Sequence, residues 1–359
     1  MASSTPTKRQ RIVLIIDANG YIGNAVARAF VPEEITPIVG AIDDVCTQES
    51  ILPQLPPCVN VVVSTSESWP DYEGHYHNVG ALSQPWKFRD ASGGPLLIFT
   101  SGCKDYGADP THLLPSSSLD SEGIVHPAPK PHTEETPLNP LSFLRPRTEL
   151  ASQIHDRLGY PYSTALVRPI NLYGRSGSYF GEWFDVFSAA VAEGRQVVVP
   201  SRSGEGRDIC QGVHVDDCAE AYVALAERFF YPPDWPFIEI DNKLEWQTFN
   251  ISSRGTEETV DGIVRALCDE YGVEYAAGIR FVKPEDSKEG ENPWPSQLVV
   301  DYPQLIEDKK LRYLTGWSDR RPLFREAVGL YKRAYEAARE GGKGWESVKK
   351  TEEMPSSAD

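Results

Sequence analysis

The sequence predicts an α/β fold, a doubly wound parallel sheet with a smaller C-terminal lobe. Three observations predict it. Short aliphatic and β-branched runs recur through the first half of the chain, and stretches with helical spacing separate them. A glycine-containing turn joins the first run to the first helical stretch.

Ile12 to Ile16 is a continuous aliphatic run, the pattern of a strand buried on both faces. After the turn, helical spacing covers Asn24 to Phe30. Strands are expected at Ile35 to Val39, Val59 to Val63 and Leu96 to Thr100, and a fifth at Tyr162 to Val167 runs into Arg168-Pro169. Residues 107 to 140 break the rhythm: they are rich in Pro, Ser, His and Gly and show no period. They read as a surface excursion at the C-terminal edge of the sheet, where functional loops sit in this architecture. Helix returns at Pro146 to Leu158, with proline in the first turn, where its missing N–H costs nothing. Short strands are expected at Val197 to Pro200, Gln247 to Ile251 and Ile279 to Val282, and a C-terminal helix over Leu323 to Ala338.

The chain has 359 residues, 40% hydrophobic and 24% charged, so a globular core is affordable and disorder is not indicated. The net charge of −17 repels phosphate backbones and anionic lipid, which argues against nucleic-acid and membrane partners. Cys46, Cys58, Cys103, Cys210, Cys218 and Cys268 are scattered without a CxxC pair, so neither a metal site nor a disulfide framework is expected. No run approaches the ~20 apolar residues of a membrane span. Residues 1 to 11 are polar and basic without an apolar signal core, which implies a disordered lead-in to a cytoplasmic protein. Residues 346 to 359 read as a polar tail.

The segment Asp17-Ala18-Asn19-Gly20-Tyr21-Ile22-Gly23 follows a buried strand and opens a helix, the setting of a dinucleotide-phosphate turn. Asp17, Asn19, Gly20, Tyr21, Ile22 and Gly23 are therefore the candidate cofactor-binding residues. This defines a Rossmann-type domain over residues 12–175. A mixed region, 176–345, forms the substrate lobe, with segments near 205–230 and 247–252 returning to the first domain.

Four segments together resemble the extended short-chain dehydrogenase/reductases of NAD-dependent epimerase/dehydratase type. Gly20 and Gly23 match the second and third glycines of GxxGxxG, and Asp17 replaces the first. Phe99-Thr100-Ser101-Gly102-Cys103-Lys104-Asp105-Tyr106-Gly107 is similar to the family's Ser/Thr-rich turn ending in Tyr-Gly. Arg168-Pro169-Ile170-Asn171-Leu172-Tyr173-Gly174 matches Arg-Pro-x-Asn-x-Tyr-Gly, and Val213-His214-Val215-Asp216-Asp217 matches His-Val-Asp-Asp. Asn78-Val79-Gly80 matches an Asn-x-x-Gly region only loosely. The resemblance spans most of residues 12 to 330. It implies NAD(P) if any cofactor is used and a homodimer packed through two helices; the family's ribose-reading Asp or Arg has no clear match where the second strand ends at Val39-Gly40, and Asp43 or Asp44 could serve instead.

The family's catalytic Ser, Tyr and Lys align with Gly102, Phe143 and Arg147, and residues 138 to 154 hold no Tyr or Lys. Phe transfers no proton and Arg stays charged. The remaining acid–base candidates are Lys104, Asp105 and Tyr106, on a turn also similar to Thr-Gly-x-Lys-x-Tyr of plant progesterone 5β-reductase and iridoid synthase relatives. Ser101, Gly102, Cys103, Phe143, Arg147, Tyr173, Tyr179, Phe180, Trp183, His75 and His77 are the candidate pocket residues, and their aromatic content suggests an apolar or aromatic small molecule.

Three readings follow. The first is a small-molecule, specialised-metabolite enzyme doing non-redox proton transfer (isomerisation, cyclisation or elimination), with no cofactor required. The second is an NAD(P)H-dependent oxidoreductase or epimerase acting on a small carbonyl substrate. The third is a non-catalytic sensor or scaffold.

Overall fold

The computed structural model describes residues 11–31, 35–40, 59–65, 71–82, 96–109, 111–113, 128–158, 163–176, 178–230, 247–254, 258–283, 286 and 302–341. In chain order these form β1 (Arg11–Ile16), α1 (Tyr21–Phe30), β2 (Ile35–Gly40), β3 (Val61–Ser64), α2 (Tyr72–Leu82), β4 (Leu96–Thr100), α3 (Arg145–Leu158) and β5 (Ser163–Pro169). There follow β6 (Asn171–Tyr173), α4 (Gly181–Glu193), β7 (Val197–Pro200), β8 (Gly212–His214), α5 (Val215–Phe230), β9 (Gln247–Ile251), α6 (Val260–Tyr271) and α7 (Tyr275–Gly278). The chain continues through β10 (Ile279–Val282), α8 (Lys309–Thr315) and α9 (Val328–Glu340).

The chain divides into two compact units. The first comprises Met1–Thr100, Glu149–Leu166 and Tyr222–Gln247; the second comprises Ser101–Thr148, Val167–Ala221 and Thr248–Asp359. The division does not follow the break expected near residue 175. The segment after β4 belongs to the second unit; of the segments expected to return to the first domain, Tyr222 to Phe230 lies in the first unit, whereas 205–221 and 248–252 lie in the second.

In the first unit β1 pairs in parallel with β2 on one side and β3 on the other, and β3 pairs in parallel with β4. The strand order is β2-β1-β3-β4-β5. β5 runs on into the second unit, where β9 lies beside it. The order reverses between β1 and β3, and ligands of open α/β sheets bind beyond the strand ends at such a reversal. The aliphatic runs are buried because helices cover both faces of a parallel sheet: Val13, Leu14, Ile15, Val61, Val62, Val63 and Leu97 are each at most 1% exposed. Leu150, Ala151 and Ile154 bring one face of α3 onto this core.

The second unit has its own core, in which Trp183, Phe187, Val199, Ile263, Leu267 and Phe324 meet. The Thr259 hydroxyl caps α6 by accepting the Gly262 N–H, and Gly272 ends that helix at φ 66°. The expected C-terminal helix is interrupted. Phe324–Glu326 is a separate 3-10 turn, held by the Glu326 carboxylate accepting the Leu323 N–H, and α9 starts after it. β6 pairs in parallel with β8; neither was expected, because three residues are too few to show a period. Among the described residues no helix is long and apolar enough to cross a membrane.

Candidate functional site

The turn after β1 belongs to the first unit. Asp17 takes a left-handed backbone, φ 63°, which Asp tolerates better than most residues. Its carbonyl accepts the Gly20 N–H at 2.9 Å, and α1 follows directly. A Cβ on Gly23 would stand 2.1 Å from the Asp17 carbonyl oxygen and 2.7 Å from Thr65 Oγ1, so helix and strand ends meet only across a glycine. A Cβ on Gly20 would stand 2.4 Å from Asp17 Oδ2 and 2.9 Å from its Cγ. The Asp17 carboxylate therefore lies directly beside the bare face of Gly20. Asn19 is exposed, and Tyr21 and Ile22 are half-buried. Asp43 and Asp44 lie outside the described residues.

His75 is turned away from solvent. It sits inside α2, 4% exposed, with Nε2 3.2 Å from Ser64 Oγ and its ring against Phe99. The helix turns this position inward to cover the sheet. His77 lies in the same helix, and its side chain is outside the described residues.

Lys104, Asp105 and Tyr106 fall together in the second unit, on a 3-10 turn Cys103–Tyr106. The Asp105 carboxylate is fully buried and accepts four hydrogen bonds. Arg147 Nη2 (2.7 Å) and Thr148 Oγ1 (2.8 Å) reach Oδ1; Ser101 Oγ (2.6 Å) and Arg168 Nε (3.0 Å) reach Oδ2. Burial alone would raise its pKa, but Arg147, Arg168 and the Ser101 hydroxyl outweigh that, and it is held below the usual carboxylate range. With its acceptor positions filled, Asp105 is an anchor for the turn rather than a base. Arg147 is thus tied to Asp105, and its guanidinium lies 3.6 Å from where a Cβ on Gly102 would be. Phe143 is half-buried in the 3-10 turn Ser142–Leu144.

Tyr106 is committed as well. Its hydroxyl donates to Asn250 Oδ1 at 2.7 Å, Arg168 covers its ring, and burial raises its pKa far above the ordinary phenol value. Cys103 is buried with its thiol donating to the Arg168 carbonyl (2.9 Å), and desolvation raises its pKa well above the usual thiol range. Neither supplies a proton acceptor near neutrality.

Lys104 is the exception. Nζ donates to Asn171 Oδ1 at 2.8 Å and lies 4.8 Å from the Tyr302 ring and 5.8 Å from the Tyr179 ring. The side chain is 8% exposed. Desolvation brings its pKa down to about 7; Cys210 opposes this and the Arg147 charge adds to it. The Tyr302 hydroxyl and Gln304 amide fix the turn by donating to the Lys104 and Cys103 carbonyls, at 3.1 and 2.8 Å. Asn171 was visible in the sequence through its motif. Thr148, Asn250, Tyr302 and Gln304 belong to no motif and come from far along the chain, so nothing in the sequence pointed to them.

The aromatic residues divide. Tyr179 is half-buried beside Lys104, whereas Tyr173, Phe180 and Trp183 are at most 1% exposed and pack into the second unit's core. All three pack among the helices of that core, and Phe180 also borders a small cavity together with Phe184, Phe324, Tyr331 and Tyr335. Tyr173 also spends its hydroxyl on the Pro322 carbonyl, at 2.9 Å.

Asp109, His112 and His132 place ligand-type atoms within 4.8 Å of one another. The Leu305 N–H donates to His112 Nδ1 at 3.0 Å, which puts the ring proton on Nε2, and Nε2 lies 2.8 Å from the Lys130 carbonyl. His112 so arranged has no lone pair for a cation. The cluster pins the loop.

No protein-family model matches the chain, and neither does any curated protein. Solved structures do. A UDP-glucose 4-epimerase is 14% identical, with 94% of this chain and 100% of that chain covered and a TM-score of 0.61. The dTDP-glucose 4,6-dehydratase of Bacillus anthracis, a complex with NAD, is 17% identical, with 92% and 98% covered and a TM-score of 0.59. The UDP-glucuronic acid 4-epimerase of Bacillus cereus, also with NAD, is 12% identical, with 91% and 99% covered and a TM-score of 0.61. The chain has the fold of the extended short-chain dehydrogenase/reductases of NAD-dependent epimerase/dehydratase type.

Proposed function

We propose that this chain is a small-molecule enzyme that moves protons without redox turnover, with Lys104 as the acid–base residue. The observation that carries this is the environment of Lys104 Nζ: desolvated, hydrogen-bonded to the Asn171 amide oxygen and flanked by the Tyr179 and Tyr302 rings. A general base works best with a pKa near the operating pH, and about 7 meets that condition.

The step is simple to balance. Neutral Lys104 takes a proton from carbon beside a carbonyl, and the C–H electron pair becomes an enolate. Returning the proton from the ammonium to a different carbon gives isomerisation; departure of a β-substituent gives elimination. Asn171 orients the amine through its amide oxygen. The Tyr179 and Tyr302 rings stabilise the ammonium once formed and favour an apolar or aromatic substrate. With Gly102, Phe143 and Arg147 in place of Ser, Tyr and Lys, the usual hydride-transfer set is missing from the positions that match it.

The second reading, an NAD(P)-dependent oxidoreductase or epimerase, is favoured by the NAD named in the similar structures and by Gly20 and Gly23. Solvent-deuterium exchange separates the two. The protein is incubated in D2O with a panel of aliphatic and aromatic ketones and read by mass spectrometry. Proton transfer predicts exchange without added nicotinamide, rising with pH through about 7. Lys104→Met is expected to lower it roughly 100- to 10,000-fold. Exchange unaffected by this change removes Lys104 from the mechanism, and turnover strictly dependent on NADH or NADPH establishes the second reading.

A further inference from the structure

The similar folds hold NAD, so the turn after β1 has to be tested for fit to a pyrophosphate. In a dinucleotide turn the glycine at the Gly20 position carries no side chain so that backbone and pyrophosphate can approach each other. The volume that matters is the one a Cβ on Gly20 would point into. Here the Asp17 carboxylate borders it, with Oδ2 2.4 Å and Cγ 2.9 Å from that Cβ position. A phosphate oxygen cannot share this space with a carboxylate oxygen. Rotating the Asp17 side chain relocates the carboxylate but leaves it anchored on the same turn. The backbone is fixed too: the Asp17 carbonyl binds the Gly20 N–H and abuts the bare face of Gly23.

The charge has a structural use where it is. Helix N-termini favour negative charge, α1 has no acidic residue in its first turn, and its cap residue Gly20 offers no side-chain hydrogen bond. We infer that Asp17 is a built-in anion that takes the place of a dinucleotide pyrophosphate at the start of α1. The turn keeps the glycines of a nucleotide fold and does not fit the nucleotide. This inference is independent of the chemistry proposed for Lys104, which lies in the other unit.

The test is a fluorescence titration of the full chain with NADH and with NADPH, with thermal unfolding as the check on folding. Wild type is expected to show no saturable binding below millimolar concentrations. Asp17→Asn keeps the side chain's shape and removes its charge. Asp17→Gly removes both and suits the left-handed backbone. Both are expected to gain affinity, by at least about tenfold for the glycine variant, as lifting a like charge a few ångströms away should give. Micromolar binding by wild type overturns the inference, with no variant needed. So does a folded Asp17→Gly protein that binds no better than wild type.

Discussion

Lys104 and Asp105 are adjacent in sequence and sit in opposite electrostatic environments. Asp105 is buried among two guanidinium groups and two hydroxyls that hold it charged, whereas for Lys104, beside the Asn171 amide oxygen and the Tyr302 ring, desolvation is the largest influence. Position along the turn decides this, because successive residues of a tight 3-10 turn point different ways. Breaking a buried ion pair leaves uncompensated charge, so Asp105→Asn is expected to destabilise the fold by ~3–5 kcal/mol in urea denaturation. Because the folded pKa of Asp105 is depressed, its contribution is present above the ordinary carboxylate pKa and is lost as pH falls through the lower folded value. Glu258 has the opposite sign. It is 0% exposed, Oε1 accepts the Arg325 N–H at 2.8 Å, and Oε2 has no hydrogen-bond partner among the described residues. Burial raises its pKa to about 7, with the Arg325 N–H and charge opposing and Glu326 adding. The folded state thus holds a proton that the unfolded state releases, so stability falls as pH rises from about 4.5 to about 7. That window corresponds to about 3 kcal/mol, and Glu258→Gln is expected to flatten the stability-against-pH curve across it, measured by denaturant midpoints.

At the scale of elements, two glycines that look alike in sequence do different work. Gly23 lies where α1 crosses the ends of β1 and β3, and any side chain there collides with the Asp17 backbone at 2.1 Å. Gly102 has extended backbone, φ −164°, and the nearest atoms to an added Cβ are 3.6 Å away. Gly23→Ala is therefore expected to cost at least ~1–3 kcal/mol of stability, as overpacking does. Gly102→Ala should stay within about 0.5 kcal/mol, the range of changes that disturb no special feature. Thermal unfolding of the two variants checks this. Packing therefore does not require glycine at position 102. The strands were legible for a plain reason: Ile12 to Ile16 and Leu96 to Thr100 are buried on both faces, and continuous aliphatic runs follow from that. α1 begins at Tyr21, earlier than the helical spacing suggested, because the helix opens straight from Gly20.

At the scale of the whole molecule, the sequence by itself determined the sheet, the order in which strands and helices alternate, the phosphate-type turn and the absence of Tyr and Lys from residues 138 to 154. Each of these is written locally, in a run of adjacent residues or in a motif at fixed spacing. Only the tertiary structure decided what the remaining side chains are for. It turned Asp105 from a candidate base into an anchor, because Arg147, Thr148 and Arg168 reach it from more than 40 positions along the chain. It assigned Tyr173, Phe180 and Trp183 to a core, because burial depends on which helices pack against α4. It set Tyr302 beside Lys104 across 198 residues of sequence, and it put the Asp17 carboxylate against Gly20. Partners, desolvation and charge are properties of folded proximity, and those quantities separate a base from an anchor and a cofactor cradle from a filled one.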